Sequence, residues 1–168
     1  MSTPPTLTHC VSYDVQMRAV VDSSTWISLA RSGLLPVLGQ VDLEPVVPDV
    51  VHDECIRAGL AGGYADAAVI ESVYERLDVM ATPAGSDSAD AAVLHAARDV
   101  GVLVTNDLAL GRRARSLGLI WLRTADLVVL AVRTAAMSAV AGRRAIQALR
   151  AAGRLSEELA GAYVEELT

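Results

Sequence analysis

Residues 18–24 constrain the fold of this chain more than any other segment, because a short apolar, β-branched run there leads into a carboxylate and then into hydroxyl side chains. An apolar run of this length is typical of a buried strand. Ser23, Ser24 and Thr25 supply side chains that commonly begin a helix. Asp22 is therefore expected where a strand ends and a helix starts, which is the usual ligand position in open α/β sheets. Capping that helix is the alternative role for Asp22, because aspartate is a preferred capping residue.

The rest of the chain alternates between short apolar runs and helical patterns punctuated by glycine and proline. Further strands are predicted at 44–48, 77–80, 102–105 and 119–122. Helices are predicted at 34–40, at 49–58 with a stop at Gly59, at 64–75, 86–99 and 108–117, and across 124–167 with breaks near Gly142, Gly153 and Ser156. Strands that alternate with helices imply βαβ crossovers. We therefore expect an α/β fold with a mostly parallel sheet flanked by helices.

The length of 168 residues suits one domain with a sizeable core. Residues 1–17 carry early prolines and are predicted to be a loosely held N-terminal extension, with a short extra strand around 8–15. Residues 18–135 form the central α/β unit of the prediction. Residues 136–168 are predicted to be a helical C-terminal extension of the same domain.

The composition is rich in aliphatic residues and poor in aromatic ones: 52% of residues are hydrophobic, only 4% are aromatic, and phenylalanine is absent. A core of alanine, valine, leucine and isoleucine suits a parallel sheet covered by alanine-rich helices. No apolar run reaches the roughly 18 residues of a membrane helix. The N-terminus shows no export signal, and two cysteines make no disulfide framework, so a cytoplasmic protein without a membrane partner is expected. The mean hydropathy of +0.38 favours a homodimer, which would cover apolar helix faces.

The net charge of −6 at first argues against nucleic acid as a partner. However, all 14 basic residues are arginine, the side chain best shaped for bidentate phosphate contacts. Clustered carboxylates in a metal site would also drive the net charge negative. The charge balance therefore leaves a nucleic-acid partner open.

Three carboxylates occupy equivalent places in the predicted fold. Asp22 and Asp107 each follow a strand, and Asp90 opens a helix just after a strand and a turn. Strand ends and helix starts share one edge of a parallel sheet, so these side chains can converge, with Glu54 on a neighbouring helix as a fourth. Converging carboxylates repel one another unless a cation lies among them. Ligands that are all oxygen favour Mg²⁺ or Mn²⁺.

Each of these acids also has an ordinary structural interpretation. Asp90 could belong to a capping arrangement with Asp87. Asp107 or Asn106 could cap the helix that follows. Glu54 could lie on a solvated helix face. Several capping acids at one sheet edge are a less economical explanation than a single metal site.

Four short motifs resemble the acidic motifs of PIN domains, which are small Mg²⁺- or Mn²⁺-dependent ribonucleases that include the VapC-type toxins of bacterial toxin–antitoxin pairs. These motifs lie at 20–24, at Glu54, at 86–93 and at 104–107. The resemblance covers about residues 18–135. It implies a single PIN-like α/β domain that cleaves single-stranded RNA, with a cognate antitoxin as a further partner.

The resemblance also implies roles for the acids by position. Asp22, Asp90 and Asp107 would hold Mg²⁺ or Mn²⁺. Glu54 would complete the metal shell or orient the attacking water, which makes all four acids the expected catalytic residues. The metal would lower the pKa of that water and stabilise charge on the scissile phosphate.

Neighbouring polar and basic residues complete the predicted site. The resemblance makes Ser24 the small polar residue that braces Asp22, and it puts Asn106 on the rim. Arg112 and Arg115 lie three residues apart in the helix predicted after the last motif, so they share a helix face. We expect these two arginines to bind RNA phosphates, with a solvated helix face as the alternative.

The chain departs from the family pattern at several positions. The family often carries glutamate at the position of Asp90 and glycine at that of Ala89, and it has a further acid where 108–111 contains none. Residues beyond about 136 extend further than in the compact toxins. The alternative function is therefore a catalytically weak or silent PIN-like module for nucleic-acid binding or partner assembly.

Overall fold

The computed structural model describes residues 16–74, 79–80 and 88–168. Within these ranges the chain forms a five-stranded sheet with strand order β3-β2-β1-β4-β5, and every neighbouring pair is parallel. The strands are β1 Met17–Val21, β2 Leu43–Pro48, β3 Val79–Met80, β4 Val102–Val104 and β5 Ile120–Leu122. The order makes β1 the central strand and β4 its neighbour, so the two strands that end near Asp22 and Asp107 lie side by side. The predicted α/β class is confirmed.

Helices flank this sheet and connect its strands. They are α1 Ser23–Arg31, α2 Val37–Gln40, α3 Asp49–His52, α4 Gly59–Ala61, α5 Ala65–Tyr74, α6 Ala89–Val100, α7 Leu108–Ser116, α8 Thr124–Arg133, α9 Ala139–Ala151 and α10 Glu157–Glu166. A π-helical turn, Asp53–Ala58, joins α3 to α4. The last two helices pack against α8, which also contacts α1 and α2. The C-terminal helices are thus packed onto the rest of the fold.

The core is built almost entirely from aliphatic side chains. Val20 and Val21 of β1 and Leu103 of β4 are fully buried, as the apolar runs at these positions predict. Trp26 is the one large aromatic side chain among the fully buried residues that the structure describes. Its indole N–H donates to the carbonyl of Val21 at 3.2 Å, which satisfies the only polar atom of that side chain. The core therefore holds the start of α1 firmly against the end of β1.

The predicted helix stop at Gly59 is wrong. The helical path that starts at α3 runs through the π-helical turn and continues to the end of α4. A Cβ atom on Gly59 would lie 2.7 Å from the Cβ of Ala67. Glycine is therefore required here for the close packing of α4 on α5, and not to end a helix.

The predicted break near Gly142 is wrong for the same physical reason. Gly142 lies buried inside α9, where a Cβ would come within 2.5 Å of the Val132 side chain. The chain breaks instead at 134–138, between α8 and α9. The breaks predicted near Gly153 and Ser156 are confirmed by the turn between α9 and α10.

Several predicted features lie outside the described residues. They are the strand around 8–15, the first part of the strand at 77–80, and positions 86 and 87 of the helix predicted at 86–99. The described helix, α6, begins at Ala89 and is capped by Ser88, whose hydroxyl accepts a hydrogen bond from the amide of Ala91 at 3.1 Å. None of the helices described here has the length and apolar character needed to cross a membrane.

Candidate functional site

Asp22 lies between β1 and α1 and has little solvent exposure, at 8%. Its backbone carbonyl accepts hydrogen bonds from the amides of Thr25 and Trp26, which start the helix. Its side chain makes no capping hydrogen bond to α1. The backbone of Asp22 therefore begins the helix, while its carboxylate is used in another way.

Hydroxyl groups hold the Asp22 carboxylate. Ser24 Oγ and Thr105 Oγ1 each donate to Asp22 Oδ2 at 2.9 Å, and Ser23 Oγ lies 3.5 Å from Oδ1. No basic side chain of the described ranges forms an ion pair with this carboxylate. A buried carboxylate requires charge-stabilising partners, and here only one of its two oxygens has short hydrogen bonds. This arrangement suits a carboxylate that binds a cation through its other oxygen.

Thr105 is a residue of the site that sequence reasoning missed. It is fully buried at the end of β4, and its hydroxyl also accepts a hydrogen bond from the amide of Asp107 at 3.1 Å. Ser24 plays the matching part, because its hydroxyl accepts from the amide of Asn106 at 3.1 Å. Each hydroxyl thus accepts a hydrogen bond from a backbone N–H of the loop between β4 and α7 and donates a hydrogen bond to the Asp22 carboxylate. The signal was present in the sequence, since a hydroxyl residue stands between a buried strand and the acidic motif.

Asn106 braces the same loop from its other side. Its amide nitrogen donates to Ser28 Oγ at 3.0 Å and to Thr124 Oγ1 at 2.8 Å. Its amide oxygen accepts from the backbone N–H of Thr124 at 3.1 Å. Both polar atoms are therefore bonded within the protein, and the side chain connects the loop to α1 and to α8. Asn106 is a positioning residue in this structure.

Asp107 caps α7, because its Oδ1 accepts a hydrogen bond from the amide of Leu110 at 2.8 Å. Within the described ranges this is the hydrogen bond that its carboxylate accepts, and the side chain is exposed. Through Thr105, its backbone is joined to the carboxylate of Asp22. A carboxylate has two oxygens, so capping by one leaves the other free to bind a cation.

Asp90 is exposed at the second position of α6 and does not cap that helix. Its Oδ2 lies 3.4 Å from Nη1 of Arg113, on α7. Both side chains are about half exposed, at 53% and 54%. Asp90 therefore faces α7, the helix capped by Asp107, and forms a surface ion pair with Arg113 of that helix.

Glu54 is exposed on the π-helical turn between α3 and α4. It lines a cavity of about 290 Å³ together with Arg31, Tyr64 and Asp66. Its carboxylate takes part in no hydrogen bond or ion pair with another described residue. A π-helical turn is rare and is frequently found at functional sites. The turn lies against the start of α1, where Cys55 Sγ is 4.0 Å from the carbonyl of Ser23.

The donor chemistry of this edge fits a hard divalent cation. The groups present are carboxylates and hydroxyls, and Asp22 lacks a basic partner within the described ranges. The acids are not gathered closely: in the part of the chain that the structure describes, no group of three or more His, Cys, Asp or Glu residues could hold a metal ion. The structure therefore brings Asp22 and Asp107 to one edge through Thr105, and it connects Asp90 to that edge through Arg113.

The arginines of α7 differ in their surroundings. Arg112 is exposed, and its guanidinium has no hydrogen bond or ion pair within the described residues. The guanidinium of Arg115 lies 5.3 Å from the centre of the Trp121 ring, and that of Arg123 lies 5.1 Å from it. Arg113, which the sequence analysis did not select, is the one of the three α7 arginines that contacts a candidate acid. RNA binding by Arg112 and Arg115 remains a prediction.

The structure is thus an α/β fold with a parallel sheet, in which aspartates lie just beyond the carboxyl ends of the adjacent strands β1 and β4. The model of the family DUF3368, a PIN domain, matches residues 18–167. The chain belongs to the PIN-domain family, and the resemblance seen in the motifs is confirmed. Its fold is of the nuclease type. A comparison with curated proteins and one with solved structures each gave no match.

Proposed function

We propose that this protein is a Mg²⁺- or Mn²⁺-dependent endoribonuclease that cleaves single-stranded RNA. The observation that carries this proposal is the buried Asp22 carboxylate, which two hydroxyls hold through one oxygen while no basic side chain of the described ranges neutralises it. A carboxylate in this state, at the central strand of a PIN domain, is suited to bind a divalent cation. Membership of the family supports the nuclease assignment.

Asp22, Asp90 and Asp107 would hold the cation in this proposal. When bound, the cation lowers the pKa of a water molecule and stabilises negative charge on the scissile phosphate. Ser24 and Thr105 fix the orientation of Asp22 before any ligand arrives, which reduces the reorganisation needed for catalysis. Glu54 either completes the metal shell or orients the attacking water.

The experiment is a cleavage assay on a labelled single-stranded RNA with Mn²⁺, with and without EDTA. We expect cleavage in Mn²⁺ that EDTA stops and that Asp22→Asn abolishes. Asp99→Asn is the matched control, because Asp99 is an exposed acid near the far end of α6 and should leave cleavage unchanged. Circular dichroism melting would show that both variants fold. Wild-type protein that fails to cleave in Mn²⁺, or that cleaves equally well in EDTA, would contradict the proposal.

The second candidate is a PIN-like module that binds nucleic acid or a partner without cleaving. Two observations favour it: the described acids form no three-membered metal group, and Asp90 is paired with Arg113. The same assay separates the candidates, because the module would bind RNA and leave it intact in every metal tested. An antitoxin partner and a homodimer are finer parts of the proposal, supported by the resemblance to VapC-type toxins and by the mean hydropathy of +0.38.

A further inference from the structure

A groove of about 460 Å³ opens beside Asn106 and therefore next to the network around Asp22. Its walls come from three parts of the fold: the start of α7, Arg123 at the end of β5, and the turn between α9 and α10, which carries Arg154. The predicted site did not include any residue of the last two parts. We call this feature the Arg123–Arg154 groove.

The part of the groove formed by described residues is positively charged, since two arginines and no acid line it. The guanidinium of Arg123 forms no ion pair within the described ranges. The nearby acid, Asp126, uses both oxygens elsewhere: Oδ2 accepts from the backbone N–H of Arg123 at 2.7 Å, and Oδ1 accepts from the hydroxyl of Tyr163 at 2.7 Å. The guanidinium of Arg123 lies over the Trp121 ring and has no ion-pair partner in the described ranges, so its N–H groups can donate to an anion while it remains stacked.

Arg154 also lacks a complete set of partners. Its Nε is buried and has no hydrogen-bond partner among the described residues. Burial and the nearby Arg31 lower the pKa of Arg154, and Asp66 partly offsets this effect. Asp66 is itself bonded to Arg31 at 3.0 Å. An anion in the groove would stabilise a guanidinium that the protein has partly removed from water and has placed near a second positive charge.

The turn that carries Arg154 is held firmly. Gly153 adopts a φ of +69°, which glycine tolerates and other residues rarely do, and it reverses the chain after α9. The backbone N–H of Arg154 donates to the carbonyl of Leu149 at 2.9 Å, and Leu155 packs against the core. The fold therefore holds Arg154 at the groove before any ligand binds.

The apolar part of the lining indicates which anion fits. Leu108 and Leu159 line the groove and expose 45% and 38% of their surface, respectively. Adjacent cationic and apolar surfaces match a single-stranded nucleic acid, which presents phosphates together with unstacked bases. Arginine is also the side chain best suited to phosphate oxygens.

We propose that the Arg123–Arg154 groove binds the single-stranded RNA beside its scissile phosphate. The two guanidiniums contact phosphate oxygens, while Leu108 and Leu159 contact ribose and bases. This inference rests on the proposed function for its substrate class. To the proposed function it adds the place where the RNA strand lies on the protein, and it gives the turn between α9 and α10 a role in RNA binding.

The test measures binding of a fluorescent single-stranded RNA by anisotropy in EDTA, where cleavage does not occur. Arg123→Gln/Arg154→Gln should raise the Kd about tenfold and flatten the log–log salt slope by about 1.4, the value for two lost phosphate contacts on a single strand. Arg18→Gln/Arg144→Gln is the matched control, because it removes two exposed arginines that do not line the groove. It should leave the slope near that of the wild type. Arg154→Lys, which keeps the charge, should retain most of the affinity.

Thermal melting would check that each variant folds, and Arg123→Gln alone repeats the test if the double variant is unstable. Equal losses in the groove pair and in the control pair would overturn the inference, because net charge alone would then explain them. Unchanged binding in the groove pair, or no RNA binding by wild type, would overturn it as well. Cleavage in Mn²⁺ is scored separately. Wild type that binds through the groove but never cleaves would contradict only the nuclease proposal.

Discussion

The inner and outer parts of the candidate site are built in different ways. The inner part is the Asp22 carboxylate with Ser24 and Thr105, whose short hydrogen bonds connect the ends of β1 and β4. The outer part consists of Asp90 and Glu54, which are exposed on helical segments. Asp107 lies between the two, since its backbone joins the inner network while its side chain is exposed and caps α7.

This difference shows which part of the site the fold can hold rigid. Val21 and Val104 pair directly in the sheet, so the residues that follow them keep a fixed separation. The outer acids depend on surface contacts such as the half-exposed pair between Asp90 and Arg113, and pairs of this kind contribute little to stability. We therefore expect the inner part to be formed without metal and the outer part to adjust when a cation binds.

The largest loss in the free energy of unfolding should come from a substitution in the inner part of the site. Thr105→Val keeps the shape of the side chain but removes a hydrogen bond to the buried Asp22 and one from the amide of Asp107. We expect a loss of about 2 kcal/mol in the free energy of unfolding, because buried polar groups lose their partner. Urea denaturation measures this loss.

Thr134→Val is the control for that measurement. Thr134 is exposed, and among the described residues its hydroxyl donates only to the carbonyls of Leu130 and Ala131 in the last turn of α8. Its loss should cost much less than the loss of the Thr105 hydroxyl. Equal costs for the two variants would mean that the inner part is no more rigid than the surface.

Substitutions of Asp107 should have an intermediate effect on the free energy of unfolding. They can also distinguish the capping role of this side chain from a role in metal binding. Asp107→Ala removes the cap of α7 and should cost about 1 kcal/mol, whereas Asp107→Asn keeps a capping side chain and should cost far less. Both variants should lose Mn²⁺-dependent cleavage if the carboxylate is a metal ligand. Retained cleavage in Asp107→Asn would leave capping as the sole role of this residue.

The smallest effect on stability is expected at Asp90. Asp90→Asn removes one surface ion pair and should change the free energy of unfolding by less than about 0.5 kcal/mol, while cleavage should be abolished. Asp99→Asn, at the other end of the same helix, should preserve cleavage. If Asp90→Asn cleaves RNA at the wild-type rate, Asp90 does not belong to the metal site.

The general fold could be predicted because its signals are local. The apolar runs at β1 and β4 are buried strands, and acids directly follow both, so their common edge follows from parallel pairing. The helical ends were harder to predict where glycine serves packing. Gly59 and Gly142 lie where a Cβ would clash with a side chain of another helix, and this requirement depends on contacts that the sequence does not display.

The candidate site, like the fold, could be predicted only in part from the sequence. The candidate acids and the Ser24 brace were expected from type, position and resemblance, but the partners Thr105 and Arg113 were not. Thr105 has an ordinary hydroxyl, and its importance arises only because β1 and β4 place it against Asp22. Arg154 is distant in sequence from every motif and reaches the groove only through the packing of α9 and α10.

The π-helical turn at Asp53–Ala58 lies between two α-helical segments, α3 and α4, of one continuous helical path. A π-helical turn contains an additional residue compared with an α-helical turn, and each residue rotates an α-helix by about 100°. Deleting one residue there would convert the turn to regular α-helix and would leave Gly59 against Ala67, where the two helices touch. The packing of Gly59 on Ala67 therefore does not require the additional residue, whose effect is confined to the turn that carries Glu54.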